Sequence, residues 1–578
     1  MRDLPYAIRS IKKYMRSRGA LPVLAFSFAC ILSAGLLMAA GEAEAAKKKI
    51  PQIVFVPHDN RPISSEQTAQ AVRELGYEVI MPPAEILGGR DNYGEPEQVW
   101  AWLEEATKKQ KPVAAVLSSD TLIYGSLVGS RMHKYDEATL RQRVAKFAEF
   151  RSHHKRTPLY VFGSIMRTPR NGEASGTQEP SYYQTLGADI FRYTALVDKS
   201  ETKGLSNREK KEIKFLQRLI PKAAMDDWLS RREKNFAVSR GLIDLAKESS
   251  FEYLAFGRDD NAPYSQTHME SRKLTEYGRG LGISRFQAMA GIDEFGMLML
   301  ARAVIHHRQE LPFVYVAYNW GKGAKTIPAY SDEPIESSMH DHIVAVGAVE
   351  VRTPEKADLV LWVNTNPTGV TYAANEPNND GKPRDATKYF VEQVTGSVAA
   401  GRPTAVADIA FANGADNALM EGLLKNGILF RLQAYAGWNT ATNSSGFALA
   451  QGVLARQMTD ASRDRLLLVR YLDDWLYQAN VRTTLAQQLG WFRGYFAYSK
   501  LDDKRQPVEL RATRLIKQMA DRKLPPFGEL ENLSVTFPWN RMFEANFSMA
   551  PKAPPADILR SRLISTAAEN LNEAGYNS

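Results

Sequence analysis

IVFVPHDNRPISSEQTAQAVRELGYEVIM, from Ile53 to Met81, is the stretch that decides the fold. It opens on a run of β-branched and aromatic residues, breaks on a polar cluster holding two prolines, continues as an amphipathic helical stretch and closes on a second β run. Continuous apolar runs alternating with helices are the signature of buried parallel strands. Working outward, the same pattern recurs in PVAAVL (Pro112 to Leu117), LYVFGSI (Leu159 to Ile165), FEYLAF (Phe251 to Phe256) and FQAMAG (Phe286 to Gly291). It continues in FVYVAY (Phe313 to Tyr318), ADLVLWV (Ala357 to Val363), TAVADIA (Thr404 to Ala410) and ILFRLQAYA (Ile428 to Ala436). Ten candidate strands are too many for one simple doubly wound sheet. The expectation is therefore an α/β chain: a barrel-like or doubly wound parallel unit over 46–310 and a second α/β unit over 311–448, with the boundary near Arg308 to Pro312. Past Ala448 the apolar residues fall at three- and four-residue spacing, so 449–578 is expected to be mainly helical. Two insertions interrupt the pattern, Thr168 to Ser230 and the Asn/Pro/Asp/Gly loop Asn375 to Pro383.

Ahead of this body, Arg2, Arg9, Lys12, Lys13, Arg16 and Arg18 precede the apolar run Ala20 to Ala40, and Ala43-Glu44-Ala45 follows. A basic segment, an apolar segment and an Ala-x-Ala site make a secretory signal over 1–45, and the protein is expected in the periplasm or outside the cell. The alternative is an uncleaved anchor through 20–40, the one route by which a membrane becomes a partner. Cys30 is the only cysteine and lies in the apolar segment, so the mature chain has no disulfide, thiol nucleophile or cysteine metal ligand. Removing 1–45 takes away six basic and three acidic residues, and the net charge falls from +9 to +6. No basic stripe interleaved with aromatics appears, which argues against nucleic acid.

In parallel α/β folds ligands bind at the carboxyl ends of strands, so the residues just after each run are the informative ones. Here those ends carry Asp59 and Arg61, Asp120 and Thr121, Asp259 and Asp260, Asp293 and Glu294, Asn364 and Asn366, Asp408 with Asn413 and Asp416, and Trp438 and Asn439. Any one such cluster is ordinary turn and capping chemistry. Seven along one rim compose a pocket for a polyhydroxylated or otherwise highly polar ligand.

The same residues carry a resemblance. PHDNRPISSEQTAQAVRELGYEVIMPP, SSDTLIYGSLVGSR, GRDDNAP followed by Glu270, GIDEFGMLMLAR, DIAFANGAD, YAGWNTATNSSGFALA and FPWNRMFE resemble, in order, the motifs of the bacterial family known as domain of unknown function 4127. The resemblance spans Ile53 to Phe547 and implies no activity. It departs at His58, where a second acid or another small polar residue is expected before Asp59.

The acids are the residues with chemistry to offer. Asp259-Asp260 is the strongest signal, because adjacent carboxyls held in different environments divide into a proton donor and a charged partner. The pair resembles, in position and type only, the consecutive acids of substrate-assisted hexosaminidases. This assigns Asp260 as donor and Asp259 as the group that orients the substrate. The structural alternative makes Asp260 a helix cap and Asp259 an ion-pair partner of Arg258 or Arg61. Asp59, Arg61, Asp120, Thr121, Asp293, Glu294, Trp438 and Asn439 are the expected substrate-binding residues. Asp293-Glu294 also suits a helix start, and Trp438 also suits a core position. Asp259, Asp260, His268 and Glu270 offer metal-ligand chemistry, but no HExxH or EF-hand spacing is present, and no metal or cofactor is expected. No Gly-x-Ser-x-Gly or phosphate-loop spacing occurs. The leading expectation is an exported glycoside hydrolase, and the alternatives are a non-catalytic envelope protein that binds a glycan or small polar ligand, and a metal-dependent hydrolase.

Overall fold

In the computed structural model, residues 50–170, 172, 178–489 and 500–549 are described. The expected signal over 1–45, its anchor alternative and the Pro-rich 551–555 stretch lie outside these residues. Among the described residues no helix is long and apolar enough to cross a membrane.

All ten apolar runs contain a strand, and the chain is α/β. The first sheet holds β1 (Gln52–Val56), β2 (Glu78–Ile80), β3 (Ala114–Ser118), β4 (Leu159–Ile165), β5 (Tyr253–Arg258) and β6 (Phe286–Ala290). Its strands are all parallel, in the order β2-β1-β3-β4-β5-β6. Of the two forms the sequence left open, this is the doubly wound one, since β2 and β6 are edges rather than partners. After β7 (Phe313–Tyr318) come β8 (Val349–Glu350), β9 (Leu359–Asn364), β10 (Tyr372–Ala373), β11 (Thr404–Asp408), β12 (Phe411–Ala412) and β13 (Ala434–Ala436). Five of these form a second parallel sheet, β13-β11-β9-β7-β8, while β10 and β12 pair separately. Counted from its own first strand, the second sheet has the order 2-1-3-4-5, the order the first sheet follows before adding β6. Each sheet therefore has a switch point beside its first strand, between β1 and β3 and between β7 and β9, where doubly wound proteins open a crevice.

Burial explains the strand composition. One face of each sheet feeds a shared core with the Phe295–Arg308 and Ala441–Ala455 helices, which includes Phe55, Val116, Phe162, Leu298, Leu361 and Leu449. The opposite face of the first sheet packs Val54, Val56, Val161 and Leu254 against Trp100, Phe147 and Leu242 of its outer helices. Beyond the second sheet, Val406 and Tyr435 meet Phe390, Leu472 and Trp475. Strands covered on both faces have no polar alternation, as their sequences read. The C-terminal part is mainly helical, with a π-wound stretch over Tyr471–Val481, and closes on the short antiparallel pair β14 (Ser534–Thr536) and β15 (Asn546–Ser548). The insertion after β4 adds the helices Tyr183–Thr202 and Asn207–Leu219 and leads into Lys222–Lys247, with a small core around Tyr183, Leu196 and Trp228.

Candidate functional site

A cavity of about 340 Å³ opens where the carboxyl ends of the first sheet meet loops of the second. Arg61 enters after β1, Arg131 after β3, Arg167 after β4, Asp259 and Asp260 after β5, and Asp293 after β6. Asn413, Asn439 and Thr440 come from the second half, and Arg482, Arg541 and Phe543 from the C-terminal region. Four lining residues, Asp260 (φ 42°), Tyr330 (φ 65°), Asn413 (φ 64°) and Asn439 (φ 60°), hold left-handed backbone that side chains other than glycine rarely adopt. Such outliers persist where surrounding structure enforces them, and they gather at functional sites. A larger cavity of about 510 Å³ beside the Gln266–Gly278 helix has Arg258, Asp332 and Glu333 among its lining, and these are bonded to one another.

One wall is a buried charge cluster. Arg61 donates from Nε to Asp59 (2.9 Å) and from Nη2 to Asp293 (2.6 Å), while its Nη2 also lies 3.0 Å from His58 Nε2. Asn439 and Asn443 each donate to Asp293 Oδ2 at 3.2 Å. Burial pushes Asp59 and Asp293 up, but Arg61 and His58 outweigh it and hold both below the usual carboxylate range. Burial likewise lowers His58, and Asp59 and Asp293 more than restore it, so its imidazole is raised. His58, the departure noted above, is thus part of the lock on Arg61. Gly291 makes the turn to Asp293 possible: its φ is 99°, and a Cβ there would lie 1.7 Å from Glu294 Oε1.

The opposite wall carries the adjacent acids. Asp259 accepts from Arg131 Nη2 at 2.7 Å and Asp260 from Arg167 Nη1 at 2.6 Å. The insertion supplies what steadies both arginines. Glu179, fully buried, accepts from Arg167 Nε (2.6 Å) and lies 3.7 Å from Arg131 Nη1, and Gln178 accepts from Arg131 Nη1 at 3.1 Å. Arg232, on the Lys222–Lys247 helix, binds the carbonyl oxygens of Met166 (2.6 Å) and Arg167 (3.0 Å) and fixes the loop that presents Arg167. Asp259 is pushed up to about 7, first by burial and then by the neighbouring Asp260 charge, against the pull of Arg131. Its side chain keeps 17% of its surface exposed and that of Asp260 25%, so both reach the cavity.

The structural alternative for this pair needs correcting in its partners. Arg258 turns to Glu333 (2.6 Å) and Asp332, Arg61 to Asp59 and Asp293, and the following helix is capped by Ser265, whose Oγ accepts from His268 N at 2.9 Å. Of the expected substrate-binding residues, Arg61, Asp293 and Asn439 line the cavity together with the acid pair. Asp59 lies behind Arg61. Asp120 sits in a single π turn, accepting from Ser164 N (2.9 Å) and Oγ (3.0 Å), and burial pushes it up to about 7. Thr121 donates to the Pro57 carbonyl at 2.5 Å, Glu294 pairs with buried His342 at 3.2 Å, and Trp438 packs on Phe543 with ring centres 5.9 Å apart. These four support the rim from behind. The four metal-ligand candidates do not converge: Glu270 is bonded to Arg232 (2.8 Å) and His268 to Asp198 (2.6 Å), whereas Asp259 and Asp260 are bonded to Arg131 and Arg167. Among the described residues no three acid or imidazole groups form a metal-holding set.

The residues the sequence reading missed are the arginines. Arg131 and Arg541 end or sit within two of the quoted motifs, and Arg167 follows β4, an end with no acid to draw attention. Arg482 lies at the start of a helix and gave no sequence signal.

Residues 53–548 match the family described as "Protein of unknown function (DUF4127)", and the chain belongs to that family. No curated protein matches it.

Proposed function

We propose that this member of the family is an exported hydrolase of a polar, carbohydrate-type substrate, whose hydroxyls and ring faces are met in the 340 Å³ cavity and whose bond cleavage is assisted by Asp259. The observation that carries the reading is the acid pair on the cavity wall: both side chains reach the cavity, Asp259 with its carboxyl pushed up to about 7 by burial and the Asp260 charge, and Asp260 in an ion pair with Arg167. An acid poised near the working pH is suited to protonate a leaving oxygen. This reverses the roles expected from sequence, making Asp259 the donor and Asp260 the orienting group. As the glycosidic C–O bond breaks, the Asp259 proton passes to the departing oxygen, and water supplies the oxygen of the new bond and the proton that restores the acid. Tyr330 and Phe543 provide aromatic surface, and Gln178, Asn413 and Asn439 provide amides, a combination that suits a sugar ring. Export rests on the basic, apolar and Ala-x-Ala order of the N-terminal sequence.

A binding protein using the same cavity is the second reading, favoured by one feature: Asp259, Asp260 and Asp293 are each already held by an arginine. A panel of aryl glycosides and envelope polysaccharides offered to the mature protein separates the two. The enzyme reading expects turnover on at least one substrate, reduced about 100-fold or more in Asp259→Asn and restored selectively for leaving groups that need no protonation. Saturable binding with no turnover of any substrate would establish the binding protein instead.

A further inference from the structure

The second sheet has its own crevice. Its switch point lies between β7 and β9, and a cavity of about 420 Å³ opens there, lined by Asn319 and Trp320 after β7, Thr365 and Asn366 after β9, and Arg384. None of the residues that line it lines the first cavity. In doubly wound sheets this is the place where ligands bind.

Three observations describe what would fit. Trp320 leaves 49% of its surface exposed at the cavity wall, an unusual position for the largest apolar side chain. Its backbone N–H is bonded to Asn319 Oδ1 (2.9 Å), and Asn319 Nδ2 to Asn364 Oδ1 (3.0 Å), so the aromatic group stands on a fixed amide chain anchored by Asn364 Nδ2 on Asp408 (2.9 Å). Thr365, also among the lining residues, buries a hydroxyl that has no hydrogen-bond partner, a cost a ligand would remove once rotation of the side chain turns that hydroxyl into the cavity. Charge then selects among polar ligands. The charged groups of the lining are Arg384, Asp385 and Asp416, one cation against two anions, and Arg384 is bonded to Asp416. A phosphate or carboxylate meets no spare positive charge, whereas a neutral ring with hydroxyls on its edge and C–H groups on its face meets the Asn366 amide and an indole.

We propose that the carboxyl edge of the second sheet is a separate binding site for a neutral pyranose, stacked on Trp320 and hydrogen-bonded by Thr365 and Asn366. The site is independent of any catalysis in the first cavity. The test is a tryptophan-fluorescence and calorimetric titration of the whole mature protein with cellobiose, N,N′-diacetylchitobiose, glucuronate and inorganic phosphate. Saturable binding of a neutral disaccharide is expected, weakened about ten-fold or more in Trp320→Ala and in the isosteric Thr365→Val, and retained in Asp259→Asn. Trp320 is half-exposed, so its replacement leaves the fold intact, and unchanged melting of both variants checks this. Binding that survives Trp320→Ala but is lost in Tyr330→Ala belongs to the first cavity and overturns the proposal. So does failure of both neutral probes to bind, or preferential binding of phosphate or glucuronate.

Discussion

The two sheets share a strand order and differ in what stands on their carboxyl edges. The first presents Arg61, Arg131 and Arg167 interlocked with Asp59, Asp259, Asp260 and Asp293, whereas the second presents Asn319, Asn364 and Asn366 with a tryptophan. Order of strands fixes where a crevice opens, and side chains fix its chemistry. Asp408 sharpens the contrast. Like Asp259 it is pushed up to about 7 by burial and an acidic neighbour, in its case Asp416. Yet Asp408 is wholly buried, and its oxygens are consumed by Asn364 Nδ2, Asp416 N (2.7 Å) and Tyr435 Oη (2.9 Å). A raised carboxyl is a catalytic candidate only where a substrate can reach it, and that separates Asp259 from its counterpart.

The comparison can be broken most forcefully at Arg61. Arg61→Met leaves Asp59 and Asp293 buried without their shared cation and should cost about 3–5 kcal/mol, read as a fall in urea midpoint. Next in size is the pair of acids at the two edges. Asp408→Asn, which turns an amide N–H toward donors, should cost about 1–3 kcal/mol while leaving turnover untouched. Asp259→Asn should do the reverse, abolishing most turnover at little cost in stability. Equal effects of the two variants on turnover would erase the distinction drawn between the edges.

A smaller effect is expected with pH. Asp120, Asp259 and Asp408 lie near 7 in the folded chain against an ordinary 3.8, so between about pH 4 and pH 7 the native state holds more protons than the unfolded one. Their contribution to stability is complete below that window, declines as pH rises through it and levels off above it. Asp59 and Asp293 have the opposite sign: their contribution is present above the ordinary value and lost as pH falls below it. Urea unfolding followed across this range should show the decline toward neutrality, with a shallower slope in Asp259→Asn. The smallest effect belongs to Trp320→Ala, which should change stability by no more than about 0.5 kcal/mol because the indole is half-exposed.

Much of this was legible in the sequence. Each apolar run contains a strand because burial on both faces demands continuous hydrophobicity. ILFRLQAYA is the partial case: Leu429–Arg431 turn as a 3₁₀ segment and only Ala434–Ala436 pair. The short β8, β10, β12, β14 and β15 have no run to mark them. Strand order is set by which way each crossover returns, and no local pattern records it. The strand-end rule found Arg61, Asp259, Asp260, Asp293 and Asn439, but it cannot say which of two successive side chains faces the cavity, and Asp120, Thr121, Glu294 and Trp438 face inward. The arginines were hidden for another reason: basic residues near helices are ordinary on any surface, and only the fold shows Arg131 and Arg167 turned onto the acid pair.

The proton on Asp259 is tested most directly by a ¹³C NMR titration of its carboxyl in the intact protein, with Asp260→Asn alongside. A midpoint near 7 is expected in the natural chain and a lower one in the variant, where the repelling charge is gone. A midpoint close to the ordinary 3.8 in the natural chain would contradict it, because Asp259 would then have no proton to give at neutral pH.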